Sequence, residues 1–500
     1  MPWLHAIWLT LYLLTVFGLS LYGFHRFLIL FWYWRHGRRP LPTPPSASPF
    51  PFVTVQLPLY NERFVVTRLL DAVANLDYPR DRLQIQVLDD STDDTTELVR
   101  KKVAELSQAG LNIEAIHRQD RSGYKAGALQ NGLTTAKGEI IYILDADFLP
   151  EPKTLLEIIP FFTNPKVGMV QARWGHLNRT DSALTRIQSL FLDGHFLLEQ
   201  TARSRSGRFL HFNGTAGAWR KSCIEDAGGW QHDTLTEDLD LSIRAQLKYW
   251  EFKFLPAVVT PAELPADMDA FKTQQHRWTK GAIQNAKKLL RNVWVSPVSF
   301  KVKAEATVQL TCNFVYLLMA ILCVLSLPLP WLSVSVPGGW VPGVLAFICS
   351  TLSVIIFYLF SARTLYPRDW LRDAMHVPLM LALGVGMTIN NCNAVLEALR
   401  GSHSPFVRTP KFGSGTPKSR KASKKVTSYR SVPPPTLLLE LLGSLIFSAL
   451  AGYTVWQQNW GAVPVLALFA IGYHLVAWPS FLAWCKPLQS EIAGAEYQGT

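Results

Sequence analysis

The sequence predicts an α/β domain with a parallel sheet, joined to an α-helical transmembrane region. Three observations lead there. First, a chain of 500 residues that is 49% hydrophobic yet 17% charged keeps its two kinds of residue apart. The apolar stretches Leu4–Trp34, Thr307–Trp331, Val341–Phe360, Leu437–Val455 and Val463–Trp484 are each long enough to cross roughly 30 Å of hydrocarbon. Second, no such stretch lies between Arg35 and Lys303, an interval of about 270 residues that can bury a core of its own. Third, short apolar runs in that interval alternate with helical patterns, the signature of a parallel sheet whose ligands sit at the carboxyl ends of its strands.

Taken in chain order, residues 1–38 read as a transmembrane anchor. No basic residues precede the apolar stretch and no small-residue cleavage site follows it, so a retained anchor is expected rather than a signal peptide. Residues 39–51 are rich in proline and read as an extended linker. The globular domain spans 52–272. In it Val53–Leu57, Ile85–Leu88 and Ile140–Leu144 are expected strands, and Arg63–Asn75 and Lys125–Thr135 expected helices. Helices at the domain–membrane interface follow over 273–305, then a transmembrane hairpin over 306–364. The apolar segment Asp373–Leu399 contains Asn390, Asn391, Asn393 and Glu397. Residues 365–400 are therefore expected to lie along the interface with an apolar face in lipid. A basic loop (401–435), a second hairpin (436–485) and a tail (486–500) complete the chain.

The formal charge is +12, and basic residues sit beside the ends of the apolar spans: Arg35, Arg38 and Arg39 after the first, and Lys418, Arg420, Lys421, Lys424 and Lys425 before the fourth. That placement points to a lipid bilayer as partner and not to nucleic acid. By the positive-inside rule it puts the large domain in the cytosol, in a multi-pass protein of an inner or plasma membrane. The six cysteines are scattered without metal-ligand spacing, so neither a zinc site nor a disulfide framework is expected.

Four motifs carry chemistry. Gln56–Glu62 follows a strand, and Val-Leu-Asp-Asp-Ser ends the next strand at Asp89 and Asp90. Carboxylates there can accept hydrogen bonds from a nucleobase and a ribose, although Asp and Ser in that place also cap helices. Tyr142–Phe148 sets Asp145 and Asp147 two apart after an apolar run, a hard-oxygen pair suited to Mg2+ or Mn2+ completed by a diphosphate. Lys125 can add a cation against those phosphates, or merely face solvent. In Thr236–Arg244, Thr236 is placed as an N-cap and the acids fall in the first turn. They either compensate the helix dipole or supply a general base, for which Asp238 is chosen, with Glu237 beside it. Gln274-Gln-His-Arg-Trp278 offers an indole face for a sugar ring and Arg277 for a departing diphosphate. An amphipathic interface helix would carry the same residues.

An Asp in the second strand, DxD, TED and QxxRW, in this order and spacing, resemble the processive family-2 glycosyltransferases such as cellulose, hyaluronan and chitin synthases. Gly123–Leu129, Val170–Trp174, Phe212–Gly217 and Ala227–Trp230 bring the likeness nearest to the cellulose-synthase-like A and C groups, the mannan, glucomannan and glucan synthases. The resemblance implies a GT-A (Rossmann-like) domain and an inverting displacement that makes a β-linkage from an α-linked nucleotide-sugar donor. It implies that Asp89 or Asp90 holds the nucleoside, that Asp145 and Asp147 serve the diphosphate and metal, and that Asp238 is the base. Gln274, Arg277 and Trp278 bound the acceptor and the diphosphate. Phe406-Val-Arg-Thr-Pro-Lys411 is similar to a gating-loop pattern, FxVTxK, whose counterparts here are Phe406, Thr409 and Lys411; Arg408 stands where the pattern has Val. The expected activity is hexose transfer from GDP-mannose or UDP-glucose to the end of a β-1,4-linked glycan acceptor, with translocation. The alternative is a single addition to a ceramide or diacylglycerol lipid.

Overall fold

The computed structural model describes residues 2–37, 41, 44, 49–332, 341–402, 408–409, 411–413 and 436–485. Its centre is a seven-stranded sheet in the order β3-β2-β1-β4-β6-β5-β7, with strands Val53–Leu59 (β1), Leu83–Asp89 (β2), Ile113–His117 (β3), Ile140–Ile143 (β4), Val167–His176 (β5), Gly217–Arg220 (β6) and Glu251–Ala262 (β7). β1 lies parallel to both β2 and β4, and β2 parallel to β3, as the alternation predicts. The sheet is nevertheless mixed, because β6 runs antiparallel to β4 and to β5. A four-residue strand is too short to show a period, and nothing in Gly-Ala-Trp-Arg declares its direction.

The central strands are buried on both faces, although β1 carries Thr54 and Gln56 and β2 carries Gln84 and Gln86 among their apolar residues. Val53, Val55 and Leu57 pack on one side with Leu69, Leu70 and Val73 of helix Val66–Ala74. On the other side Ile141 and Ile143 meet Leu129, Trp219 and Phe254. Each such side chain contributes about 1.5–3 kcal/mol when taken from water. Polar residues of β1 and β2 find partners within the domain: Thr54 Oγ1 donates to Gln84 Oε1 (2.8 Å), and Gln86 Nε2 donates to Thr135 Oγ1 (2.9 Å). The expected helix from Arg63 begins at Val66 instead, since Asn61 has φ +56° and the Glu62 carbonyl accepts from both Val65 and Val66 in a tight turn. That turn leaves the Glu62 side chain beside the carboxyl end of β1.

Among the described residues five helices, Trp3–Gly37, Phe300–Ser326, Val341–Leu365, Leu437–Trp456 and Val463–Cys485, are long and apolar enough to cross a membrane, which marks a membrane protein. Residues 370–400 form two helices, Trp370–Gly386 and Thr388–Arg400, bent by 41°. Val377, Met380, Leu383 and Val385 of the first are buried within the protein, while Leu371 and Met375 are exposed. Gly386 meets Gly472 so closely that a Cβ would stand 2.1 Å from the Gly472 carbonyl oxygen. The polar residues of the second face helix Met268–Val295: Asn390 Nδ2 donates to the Lys272 carbonyl (3.1 Å), and Lys280 pairs with Glu397 (2.8 Å). Ion pairs tie the domain to the apolar helices through Arg26 and Glu199, Arg203 and Glu305, Arg179 and Asp373, and Lys272 and Glu440.

Candidate active site

The carboxyl ends of β1, β2 and β4 open into one pocket, and the sheet order alone makes this so because the three are adjacent and parallel. The loop after β1 brings Tyr60 and Glu62, the end of β2 brings Asp90, and the residues after β4 bring Asp145 and Asp147. Asp89 is not in the lining. Its Oδ1 accepts from Ser91 N (3.0 Å) and its Oδ2 from Thr96 Oγ1 (2.7 Å) and faces His117 Nδ1 (3.0 Å), so it builds the loop behind the pocket. Asp90 lines the pocket with its carboxylate held by the Arg118 fork at 2.8 and 2.5 Å.

Lys125 enters from the first turn of helix Tyr124–Thr135. The glycines around it are required by space: Gly123 has φ +71°, and a Cβ on Gly127 would stand 2.2 Å from the Ser122 carbonyl oxygen. Its ammonium donates to Asp145 Oδ1 (2.5 Å) and to the Gly214 carbonyl (2.9 Å). Burial works against that charge, but the Asp145 and Glu237 carboxylates outweigh it and hold the lysine above its ordinary range. Asp147 is deeper, with Oδ2 accepting from Glu263 N (3.1 Å) and Lys411 Nζ (2.7 Å). Asp145 and Asp147 fit a hard divalent cation by donor chemistry. Among the described residues no third His, Cys, Asp or Glu joins them, so substrate oxygens or water would have to complete the shell.

Helix Glu237–Leu247 points its first turn into the pocket. Thr236 occupies the N-cap position without capping, because its Oγ1 accepts from Asn285 Nδ2 (2.9 Å). The Asp238 carboxyl is pushed up to about 7, first by burial and then by the negative charge of Glu237, whose own carboxyl burial also raises. Asp240, by contrast, is fully buried and bound by Arg244 (2.6 Å) and Lys288 (2.8 Å). Gln274, Arg277 and Trp278 share one face of helix Met268–Val295, being three and four positions apart, and all three line the pocket. Burial lowers the Arg277 guanidinium's affinity for its proton, against the Glu237 and Asp145 charges. Thr409 and Lys411 also lie in the lining, while Phe406 falls outside the described residues.

A second cavity continues from Asp238, Gln274 and Trp278 toward the apolar helices, past His195, His211, Gln309 and Tyr316. Asn213 Nδ2 bridges His195 Nε2 (3.0 Å) and His211 Nε2 (3.1 Å). Burial holds both imidazoles in the neutral form, His211 down to about 3.

A family profile described as Glycosyltransferase like family 2 matches residues 50–281, the stretch that contains every strand end of this pocket and the Gln274–Trp278 face. Residues 50–281 are thus similar to a family-2 glycosyltransferase domain. Its relatives include the probable glucomannan 4-beta-mannosyltransferase 6 of Oryza sativa subsp. japonica, 42% identical over 54% of this chain and 47% of that one. Glucomannan 4-beta-mannosyltransferase 2 of Arabidopsis thaliana is 44% identical over 50% of this chain and 47% of that one. The matched stretch thus spans about half the length of the curated relatives. Among solved structures, the mannosyltransferase PcManGT from Pyrobaculum calidifontis, in complex with GDP-Man and Mn2+, matches with a TM-score of 0.55 at 22% identity. The match covers 78% of this chain and all of that one. That likeness establishes a GT-A-like fold.

The domain also has a pocket residue that no motif announced. Glu263 lies just past β7, its carboxylate taken by Arg68 and by the Phe412 amide (3.0 Å). It is the first acidic residue after Glu251 along that strand, the only local signal of its place. Arg408 and Asn213 lie inside stretches the sequence singles out, but their contacts there were not legible: Arg408 pairs with Glu62, 346 positions away, and Asn213 with His195 and His211.

Proposed function

We propose that the protein is a membrane-integrated inverting hexosyltransferase that extends a β-1,4-linked glycan from GDP-mannose or UDP-glucose and passes the product across the membrane. The observation that carries this reading is the convergence of Asp238, Lys125, Asp145 and the Gln274–Arg277–Trp278 face on one pocket. In the proposed reaction Asp238 accepts the proton of an acceptor hydroxyl as its oxygen attacks the anomeric carbon from the face opposite the diphosphate. The bond from that carbon to the diphosphate oxygen breaks, and Lys125 and Arg277 neutralise the leaving charge. A bound Mg2+ or Mn2+, held by Asp145 and Asp147, would supply Lewis-acid charge neutralisation there. Trp278 supports the acceptor ring.

The relatives' 4-beta-mannosyltransferase names favour GDP-mannose and a β-1,4 product. The second cavity favours a glycan acceptor over a lipid one. Its neutral histidines, Asn213 and Gln309 offer hydrogen bonds that sugar hydroxyls can use and acyl chains cannot. The basic residues flanking the apolar spans support a cytosolic site. The test is purified protein incubated with GDP-mannose or UDP-glucose, followed by digestion with linkage-specific hydrolases. A high-mass product sensitive to a β-1,4-mannanase or glucanase is expected. A monoglycosylated, organic-soluble lipid would overturn the polymer reading.

A further inference from the structure

Arg408, which departs from the gating-loop pattern, has a partner inside the donor pocket. Its Nε donates to Glu62 Oε1 and its Nη2 to Glu62 Oε2, each at 2.8 Å, and the two side chains are only 12% and 11% exposed. Glu62 is thereby engaged at both oxygens. Three residues on, Lys411 Nζ reaches Asp147 Oδ2 (2.7 Å) and the Glu263 carbonyl (3.2 Å), and the Phe412 amide donates to Glu263. Thr409, between them, is buried.

The two cations differ in kind. A guanidinium gripping a carboxylate with a rigid fork stays with that partner, whereas an ammonium on a flexible stem is a point charge that can exchange one anion for another. Glu62 lines the same pocket as the Asp145–Asp147 pair, but both its oxygens are held by Arg408. Asp147, on which Lys411 rests, belongs to that pair.

We propose that Arg408 is a positioning residue. By its fork on Glu62 it fixes Thr409 and Lys411 at the diphosphate end of the pocket, so that Lys411 meets an incoming donor from a set place. Glu62 then acts through Arg408 and does not touch the nucleoside. A valine at 408 has no group with which to do this. The inference rests on the nucleotide-sugar reading above.

The test uses the full chain carrying Thr409→Cys, with thiol labelling followed peptide by peptide and donor kinetics measured alongside. Arg408→Val should speed labelling at position 409 and raise the donor KM by ~10-fold, the scale for loss of one charge-assisted bidentate pair, with kcat little changed. Arg408→Lys should fall between. Arg408→Val combined with Glu62→Leu removes both charges and leaves no buried carboxylate unpaired, so the fold is spared. It should still label fast, which a purely structural pair would not. Labelling as slow as in the parent in both Val variants, or kcat falling in step with a rise in KM, overturns the assignment. If the parent transfers sugar from neither GDP-mannose nor UDP-glucose, the donor reading fails, while the labelling still decides the role of Arg408.

Discussion

Asp238 must be ionised to accept a proton, and its surroundings oppose ionisation. With the carboxyl at about 7 and Glu237 beside it, the pair is partly protonated at neutral pH. Activity should therefore rise as pH climbs toward 7 and level off above it, the acid limb of kcat/KM reporting the pair. A limb near pH 4 would exclude Asp238 as the base. Asp238→Asn should lower turnover by ~10²-fold or more while nucleotide binding persists. A raised carboxyl pKa means stability that is present at low pH and lost as pH rises through it. The same variant should therefore melt no lower than the parent at pH 8. Chelation is expected to abolish transfer but not to shift the melting temperature, because Lys125 and Lys411 already face Asp145 and Asp147 as counter-charges. A large drop in melting temperature on chelation would show that a metal holds the fold together.

At the scale of elements, helix Met268–Val295 joins the pocket to the second cavity, and Trp278 lines both. Trp278→Ala should leave a folded protein that binds nucleotide but no longer elongates glycan, since the acceptor loses its support at a set distance from Asp238. Nucleotide affinity and polymer yield read on one sample decide this, and parallel losses of both would sink the acceptor role. The elements that position Asp90, Asp145 and Asp147 were legible in the sequence because the acids follow short runs rich in Ile, Val and Leu, continuous before Asp145 and broken only by glutamines before Asp90. The motif spacing 274, 277, 278 likewise declares a single helical face. Less was legible where the deciding partner is distant. Asn390 looks out of place in an apolar stretch until Lys272, 118 positions away, accepts its hydrogen bond. Arg408 reads as a basic loop residue until Glu62, 346 positions away, takes its fork. Asp89 and Asp90 are alike in sequence, and only their contacts separate the loop builder from the pocket residue.

Across the whole molecule, the sheet domain and the apolar helices are joined by buried charges, and Lys272 with Glu440 shows what such a joint does. The pair is 2.5 Å long, with side chains 1% and 0% exposed, and Thr436 Oγ1 donates to the other carboxylate oxygen at 2.9 Å. It links the helix that carries Gln274, Arg277 and Trp278 to helix Leu437–Trp456. Withdrawing two charges from water costs nearly as much as their attraction returns, so the pair adds little net stability, whereas losing one partner strands a charge. Lys272→Met alone should therefore destabilise the protein by about 3–5 kcal/mol, and Lys272→Met with Glu440→Leu should recover most of that. Orientation is a separate quantity. With both charges gone, packing alone would set the angle between the two helices, and the acceptor face would lose its fixed relation to the cavity beyond it. The double variant is thus expected to regain the parent's melting behaviour in detergent yet make shorter glycan at unchanged donor affinity. Full recovery of product length would confine the pair to stability, and no recovery of melting would mean that Lys272 holds more than Glu440.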